Sequence, residues 1–332
     1  MRFPFPLGRT SFLPHFCTCS GSARAGIVCT LAIALIGMGP HGPASQQPHY
    51  RTGIDLVALN VTVLDPQGRP IGGLTRDDFV VYEDGVQQDL SYFQSSDLPT
   101  DLVLLIDTST SMSNRLAFVR KTAAEFARAL RPGDRGAVFD FNNYLTVKQP
   151  LTDDIASLTR VIESTRASGA TAVFDAIYIA MRELAHAPDP QGRVRRQIIV
   201  VLTDGDDNAS LVNFDTLSEE VERRDVTIYT ICPQDAPVED DVWYHRRRMR
   251  QPRTPGYSMT WLARATGGAA YAPATLADLA DAYQHIGREM AAQYLLGYVS
   301  TNRPAPGGRR YVNIQVRRPA GARPRTRSAY IG

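Results

Sequence analysis

The chain has 332 residues, 43% of them apolar, enough for one large domain or two modest ones with a real core. Its 36 Lys and Arg nearly balance 34 Asp and Glu, so net charge gives no reason to expect non-specific nucleic-acid binding. The four cysteines offer no disulfide framework, since Cys17, Cys19 and Cys29 fall in an N-terminal leader and leave Cys232 alone.

That leader is read from Arg2, Arg9 and Arg24, with no acid among them, ahead of an apolar run over residues 27–38. The run is shorter than the roughly 20 residues a spanning helix needs, and Gly42-Pro43-Ala44 offers small residues for cleavage. We expect a signal peptide over residues 1–44. A short uncleaved anchor is the alternative, and the one way in which this chain would involve a membrane. Both place the remainder outside the cytoplasm, as a periplasmic, envelope-associated or extracellular protein. Loss of the leader removes three arginines and no acid, leaving 33 basic residues against 34 acidic.

After a polar linker at 45–53, residues 54–97 alternate apolar and polar positions around turn signals such as Pro66-Gln67-Gly68 and Glu83-Asp84-Gly85, and predict a β-region. Residues 75–78 cap one helical turn, the role assigned to Asp77 and Asp78. From residue 101 to 292 buried strands alternate with amphipathic helices. Residues 102–106, 198–202 and 226–231 are continuous apolar strands, and 137–141 with 144–147 form a hairpin around Asn142-Asn143. Helices are predicted over 116–130, 155–162, 172–184, 215–223, 257–265 and 276–290. This order implies an α/β fold with a doubly wound, mainly parallel sheet.

Residues 233–256 form a polar, Pro- and Arg-rich insertion. Beyond 292, residues 294–299 and 311–316 alternate like the N-terminal region, so the strands of 54–97 and 293–318 are expected to pair into a small flanking β-sandwich. Residues 319–332 read as a basic, solvated tail.

Three stretches place oxygen donors where buried strands end or a helix opens. They are Asp107-Thr108-Ser109-Thr110-Ser111, Thr171 behind Ser168-Gly169-Ala170, and Asp204 in Leu202-Thr203-Asp204-Gly205. Two carboxylates and three hydroxyls suit a hard cation, Mg²⁺ or Mn²⁺, and the lack of His or Cys argues against zinc. Open α/β sheets bind ligands at this carboxyl edge. Thr171 is equally well placed to cap the helix after it. Asp175, one turn further, either orients the shell from behind or is a favourable first-turn acid. Asp206 and Asp207 are read as loop solvation.

In that order and context the stretches resemble the metal-ion-dependent adhesion site of von Willebrand factor type A domains. Asp107, Ser109 and Ser111 match its Asp-x-Ser-x-Ser element, Thr171 its threonine and Asp204 its second aspartate. The flanks, with Tyr82-Glu83-Asp84-Gly85 and Gln293-Tyr294-Leu295-Leu296-Gly297-Tyr298, resemble exported "VWFA-related" proteins of acidobacteria. The resemblance implies a binding or adhesion module whose metal accepts an Asp or Glu side chain from a partner protein. The insertion should lie on the same face, where Trp243, Tyr244, Arg246, Arg247 and Arg248 would tune that partner, unless it is only a solvated loop.

An enzyme is not expected. There is no Gly-x-x-x-x-Gly-Lys loop, His-Glu-x-x-His or Gly-x-Ser-x-Gly turn, and Ser109 stands where an aspartyl-phosphate phosphatase needs its second acid. Neither nucleic acid nor a small-molecule substrate is expected. The alternative function is a structural component of the envelope with contacts made by the β-sandwich.

Overall fold

The computed structural model describes residues 56–332 apart from 96–97, 188, 190–191, 205–206, 234–255 and 303–306. The expected leader and linker lie outside the described residues. In chain order the first elements are β1 (Leu56–Leu64), β2 (Phe79–Glu83), β3 (Val86–Gln88) and β4 (Leu90–Gln94). The α/β region follows with β5 (Thr100–Asp107), α1 (Leu116–Arg128), β6 (Arg135–Phe141), β7 (Leu145–Thr152), α2 (Ile155–Ser164) and α3 (Val173–His186). It continues through β8 (Arg196–Leu202), α4 (Phe214–Arg223), β9 (Val226–Ile231), α5 (Tyr257–Ala265), β10 (Ala270–Tyr271) and α6 (Leu276–Ala291). The chain closes with β11 (Tyr294–Val299), β12 (Arg309–Val316), β13 (Arg323–Arg325) and β14 (Ala329–Ile331).

The central sheet runs β10-β9-β8-β5-β6-β7, parallel throughout except for the antiparallel edge pair β6 and β7. β5 is buried along its whole length because its two faces serve two cores. Leu102, Leu104 and Ile106 pack with α1, α2 and α6, and Val103 and Leu105 with α3 and residues of α4 and α5. Period-2 strands sandwiched between period-3.6 helices leave β5 no polar face, which is why it reads as a continuous apolar run. Each fully buried aliphatic side chain contributes about 1.5–3 kcal/mol.

The ends of the chain build a β-sandwich of two four-stranded sheets, β13-β1-β11-β4 and β14-β12-β2-β3. β1 pairs with β11, Leu59 opposite Leu296, and β2 with β12, Val81 opposite Ile314. Their inward side chains, with Phe79 and Tyr294, form a third core. Before β2, Thr75 and Asp78 form a capping box on a single 3-10 turn, as expected for Asp78.

The tail departs from expectation. Residues 319–332 are not simply a solvated tail: β13 pairs with β1 and β14 with β12. Its arginines are matched to acids that lie far away in sequence, Arg325 with Glu289 of α6 and Arg327 with Asp225 before β9. Arg309 pairs with Glu222 of α4 in the same way. Buried Arg196 at the start of β8 donates to the carbonyl oxygens of Leu98 (2.9 Å) and Met290 (2.8 Å), the two points where the chain passes between sandwich and α/β region. No helix among the described residues is long and apolar enough to cross a membrane.

The strand order sets the site. From β5 the chain moves to β6 on one side and returns to β8 on the other, so the loops after β5 and β8 part at a topological switch point.

Candidate metal centre

Asp107 ends β5 with no exposed surface. One carboxylate oxygen accepts the Ser109 N–H at 2.8 Å and the other the Thr203 hydroxyl at 2.7 Å, which joins the loops at the switch point. Asp204, next in the chain, brings a second carboxylate; its Oδ1 is buried and has no hydrogen-bond partner among the described residues. Burial pushes the Asp107 carboxyl up to about 6 against the hydrogen bonds from Ser109 and Thr203, and the neighbouring Asp204 charge adds to the rise. The same two carboxylates, after burial itself, help push the Cys232 thiol at the end of β9 up to about 12. Cys232 is a buried free cysteine, inert as a nucleophile in such surroundings.

The hydroxyls of Ser109 and Ser111 lie 2.9 Å apart. The loop carrying them is fastened to the threonine loop: Thr110 gives its N–H and its hydroxyl to the Gly169 carbonyl, each at 3.0 Å, and Ser168 N–H reaches the Thr108 carbonyl at 2.6 Å. Gly169 has φ +79°, and a Cβ there would stand 2.2 Å from Asn143 Oδ1, so a larger residue at this crossing would be strained and would have to displace the Asn143 side chain. Asn143 uses that oxygen to accept the Ala170 N–H at 2.7 Å.

Thr171 is 2% exposed and is not the cap of α3. The N-cap position belongs to Ala172, whose side chain caps nothing, and the orphan N–H of Phe174 is taken by Asp207 at 2.9 Å. Asp207 also accepts from the Ser210 hydroxyl and N–H, so it is a loop-to-helix tie and not a solvating residue. Asp175 accepts the N–H groups of Leu211 and Val212 at 2.8–3.1 Å and thereby holds the loop that follows Asp204. Thr171 itself donates its N–H to Asn208 Oδ1 at 2.9 Å and accepts at its carbonyl from Asn208 and Ala209.

The described loops after β5, β6 and β8 and before α3 are thus bonded into one edge that carries Asp107, Ser109, Ser111, Thr171 and Asp204. Thr203, Asn142, Asn143 and Asn208 hold that edge together, and the sequence marked them only as turn formers or neighbours. Their partners across the edge are 26 to 96 residues away, so no local pattern could single them out. Asp206 and the insertion residues Trp243, Tyr244, Arg246, Arg247 and Arg248 lie outside the described residues.

Among the described residues no three His, Cys, Asp or Glu side chains gather as a metal cluster, so a cation here would depend on the hydroxyls. The fit is nonetheless good. Octahedral Mg²⁺ with oxygens at about 2.0–2.1 Å sets neighbouring ligands about 2.9 Å apart, and Ca²⁺ at about 2.3–2.6 Å needs a wider spacing. The serine hydroxyls, hydrogen-bonded to one another at 2.9 Å, already stand at the narrower one.

No curated protein matches the chain. Among solved structures, the chain is similar to a von Willebrand factor type A protein from Catenulispora acidiphila, at 13% identity over 83% of this chain and 73% of that one, with a TM-score of 0.47. It is similar to an aerotolerance-related membrane protein from Bacteroides fragilis at 18% identity, covering 57% of this chain and 98% of that one, with a TM-score of 0.44. The conserved hypothetical protein BatB from Bacteroides thetaiotaomicron is 19% identical over 57% and 98%, with a TM-score of 0.42. Residues 102–206, a span that holds all five oxygen-donor residues, match the family model of the von Willebrand factor type A domain.

Proposed function

We propose that this protein binds a partner protein through a divalent cation, Mg²⁺ or Mn²⁺, held by Asp107, Ser109, Ser111, Thr171 and Asp204, with an Asp or Glu of the partner completing the shell. The observation that carries the reading is the buried Asp204 Oδ1, without a hydrogen bond and beside the buried Asp107. A buried carboxylate beside a second carboxylate with an unpartnered buried oxygen costs free energy unless a positive charge joins them, and among the described residues no Lys or Arg is paired with either. A cation supplies that charge. Because both Asp107 oxygens are already engaged by Ser109 and Thr203, this carboxylate would supply charge to the site, and the neutral serine hydroxyls would help hold the ion. A cation held largely by neutral oxygens stays electrophilic toward an incoming carboxylate.

This is binding chemistry. His186 sits at the far end of α3 with Nδ1 2.7 Å from the Arg182 carbonyl oxygen, and His245 lies outside the described residues. Neither supplies a base to the edge. The leader expected from the sequence supports a module that acts outside the cytoplasm, where Mg²⁺-dependent capture of an acidic partner is an adhesion function.

A thermal-shift series with Mg²⁺, Mn²⁺ and Ca²⁺ tests the site. Mg²⁺ and Mn²⁺ should raise the melting temperature more than Ca²⁺, with the effect gone in Asp204→Ala. No response to any of the three sinks the assignment. For the partner, capture from an envelope extract should need Mg²⁺, fail with chelator and fail with Asp107→Ala. Capture indifferent to both would favour contacts made by the β-sandwich.

A further inference from the structure

Two of the most exposed large apolar side chains of the described surface stand on loops that build this edge, Tyr144 at 69% and Leu211 at 95%. Single exposed hydrophobics need no explanation in general. These differ in how firmly their backbones are held. Tyr144 and Asn142 are bonded both ways across the β6–β7 turn, Asn142 N–H to the Tyr144 carbonyl at 3.2 Å and Tyr144 N–H to Asn142 Oδ1 at 3.4 Å. The Asn142 carbonyl in turn accepts the Ala172 N–H at 2.7 Å. Leu211 N–H falls between the two oxygens of Asp175, at 3.0 and 3.1 Å, and two residues earlier Ala209 N–H reaches the Thr171 carbonyl at 3.1 Å. Each exposed side chain therefore leaves a loop tied to the Thr171-Ala172 segment.

Such an arrangement is organised before anything binds. Apolar area on a pinned backbone can be buried without a further ordering cost, which is what raises affinity for a given area. The charge of the edge points the same way. Its described loops carry four acids, Asp107, Asp175, Asp204 and Asp207, against two arginines, Arg115 and Arg166, and this acidic excess disfavours an acidic segment where no cation is bound. A segment with many acids gains one metal contact and suffers repulsion at the rest.

We propose that Tyr144 and Leu211 form an apolar rim of the metal site, and that the partner it selects is a polypeptide segment with one Asp or Glu flanked by large apolar side chains. The proposal rests on the metal-dependent reading above. It is tested with the full chain and two pools of synthetic peptides of equal length, each with one central Glu, flanked by Leu and Phe in one pool and by Ser and Asn in the other. Binding is read by fluorescence polarisation in Mg²⁺ and in chelator, with the Mg²⁺ thermal shift measured in parallel.

The expected result is about tenfold tighter binding of the apolar-flanked pool in Mg²⁺. Tyr144→Ser and Leu211→Ser, both exposed, should each remove most of that preference and keep the Mg²⁺ shift. Equal binding of the two pools, a preference that survives both substitutions, or no binding of either pool alongside a normal Mg²⁺ shift overturns the rim. Absence of the shift in the unaltered protein overturns the metal reading, and the rim with it.

Discussion

The two regions of this molecule each bury carboxylate, and they treat it in opposite ways. In the sandwich, Glu83 is fully buried and accepts from the hydroxyls of Tyr298 (2.7 Å), Tyr330 (2.7 Å) and Ser300 (2.5 Å) and from the Asn302 amide (3.0 Å), with Arg310 at 3.4 Å. Burial pushes this carboxyl up, but the hydrogen bonds outweigh it and hold it below the ordinary value. At the edge of the central sheet, Asp107 is raised, and Asp204 keeps a buried oxygen without a partner. A satisfied buried acid ties strands together, here β2, β11, β12 and β14. Two neighbouring carboxylates, one with a buried oxygen that lacks a partner, cost stability in the free protein, and that cost is what a bound cation would offset.

Substitutions should separate the two. Glu83→Ala leaves several buried donors and the Arg310 charge without their acceptor, and is expected to cost about 3–5 kcal/mol in urea or thermal unfolding. The pH dependence follows from the same network. A carboxyl held below its unfolded value contributes stability that is fully present above that value and is lost as pH falls through the folded one. Unfolding measured between neutral pH and pH 3 should therefore show an acid limb that is smaller in Glu83→Gln. An unchanged limb would mean that the Glu83 hydrogen bonds do not favour its charged form.

Asp204→Asn should behave differently from Glu83→Ala. Without metal it removes a repelled charge, so stability should hold or rise. With Mg²⁺ at a hundred times its Kd, the variant should lack the roughly 2.7 kcal/mol that binding adds to the unaltered protein. A large loss of metal-free stability would place Asp204 with Glu83, as a structural acid. The smallest expected effect is that of Gly169→Ala, about 1–2 kcal/mol, from a strained positive φ and displacement of Asn143. It should also weaken the Mg²⁺ response, since Gly169 joins the Thr110 loop to Thr171. A normal response would show that this crossing is not needed to align the donors.

Much of this fold was legible because its signals are local. β5, β8 and β9 are uninterrupted apolar runs, the helices carry one apolar face, and both flanks show period-2 alternation, so the doubly wound sheet and the paired end regions follow from pattern alone. That Asp107, Ser109, Ser111, Thr171 and Asp204 would lie on one edge of the sheet was legible too, since each follows a buried strand or precedes a helix. The readings of residues 319–332 and Asp207 failed for a common reason. Arginines in a polar tail look solvated until Glu289 and Asp225 are brought to them, and Asp207 looks like loop solvation until Phe174 and Ser210 arrive.

By itself, the sequence determined the elements, their order and the chemical type of the edge, because hydrophobic period and donor identity are written along the chain. Only the tertiary structure decided which acids are satisfied and which are not. Whether a buried carboxylate meets five donors, as Glu83 does, or two donors and a second carboxylate, as Asp107 does, depends on groups as many as 247 residues apart, and no local pattern encodes that encounter.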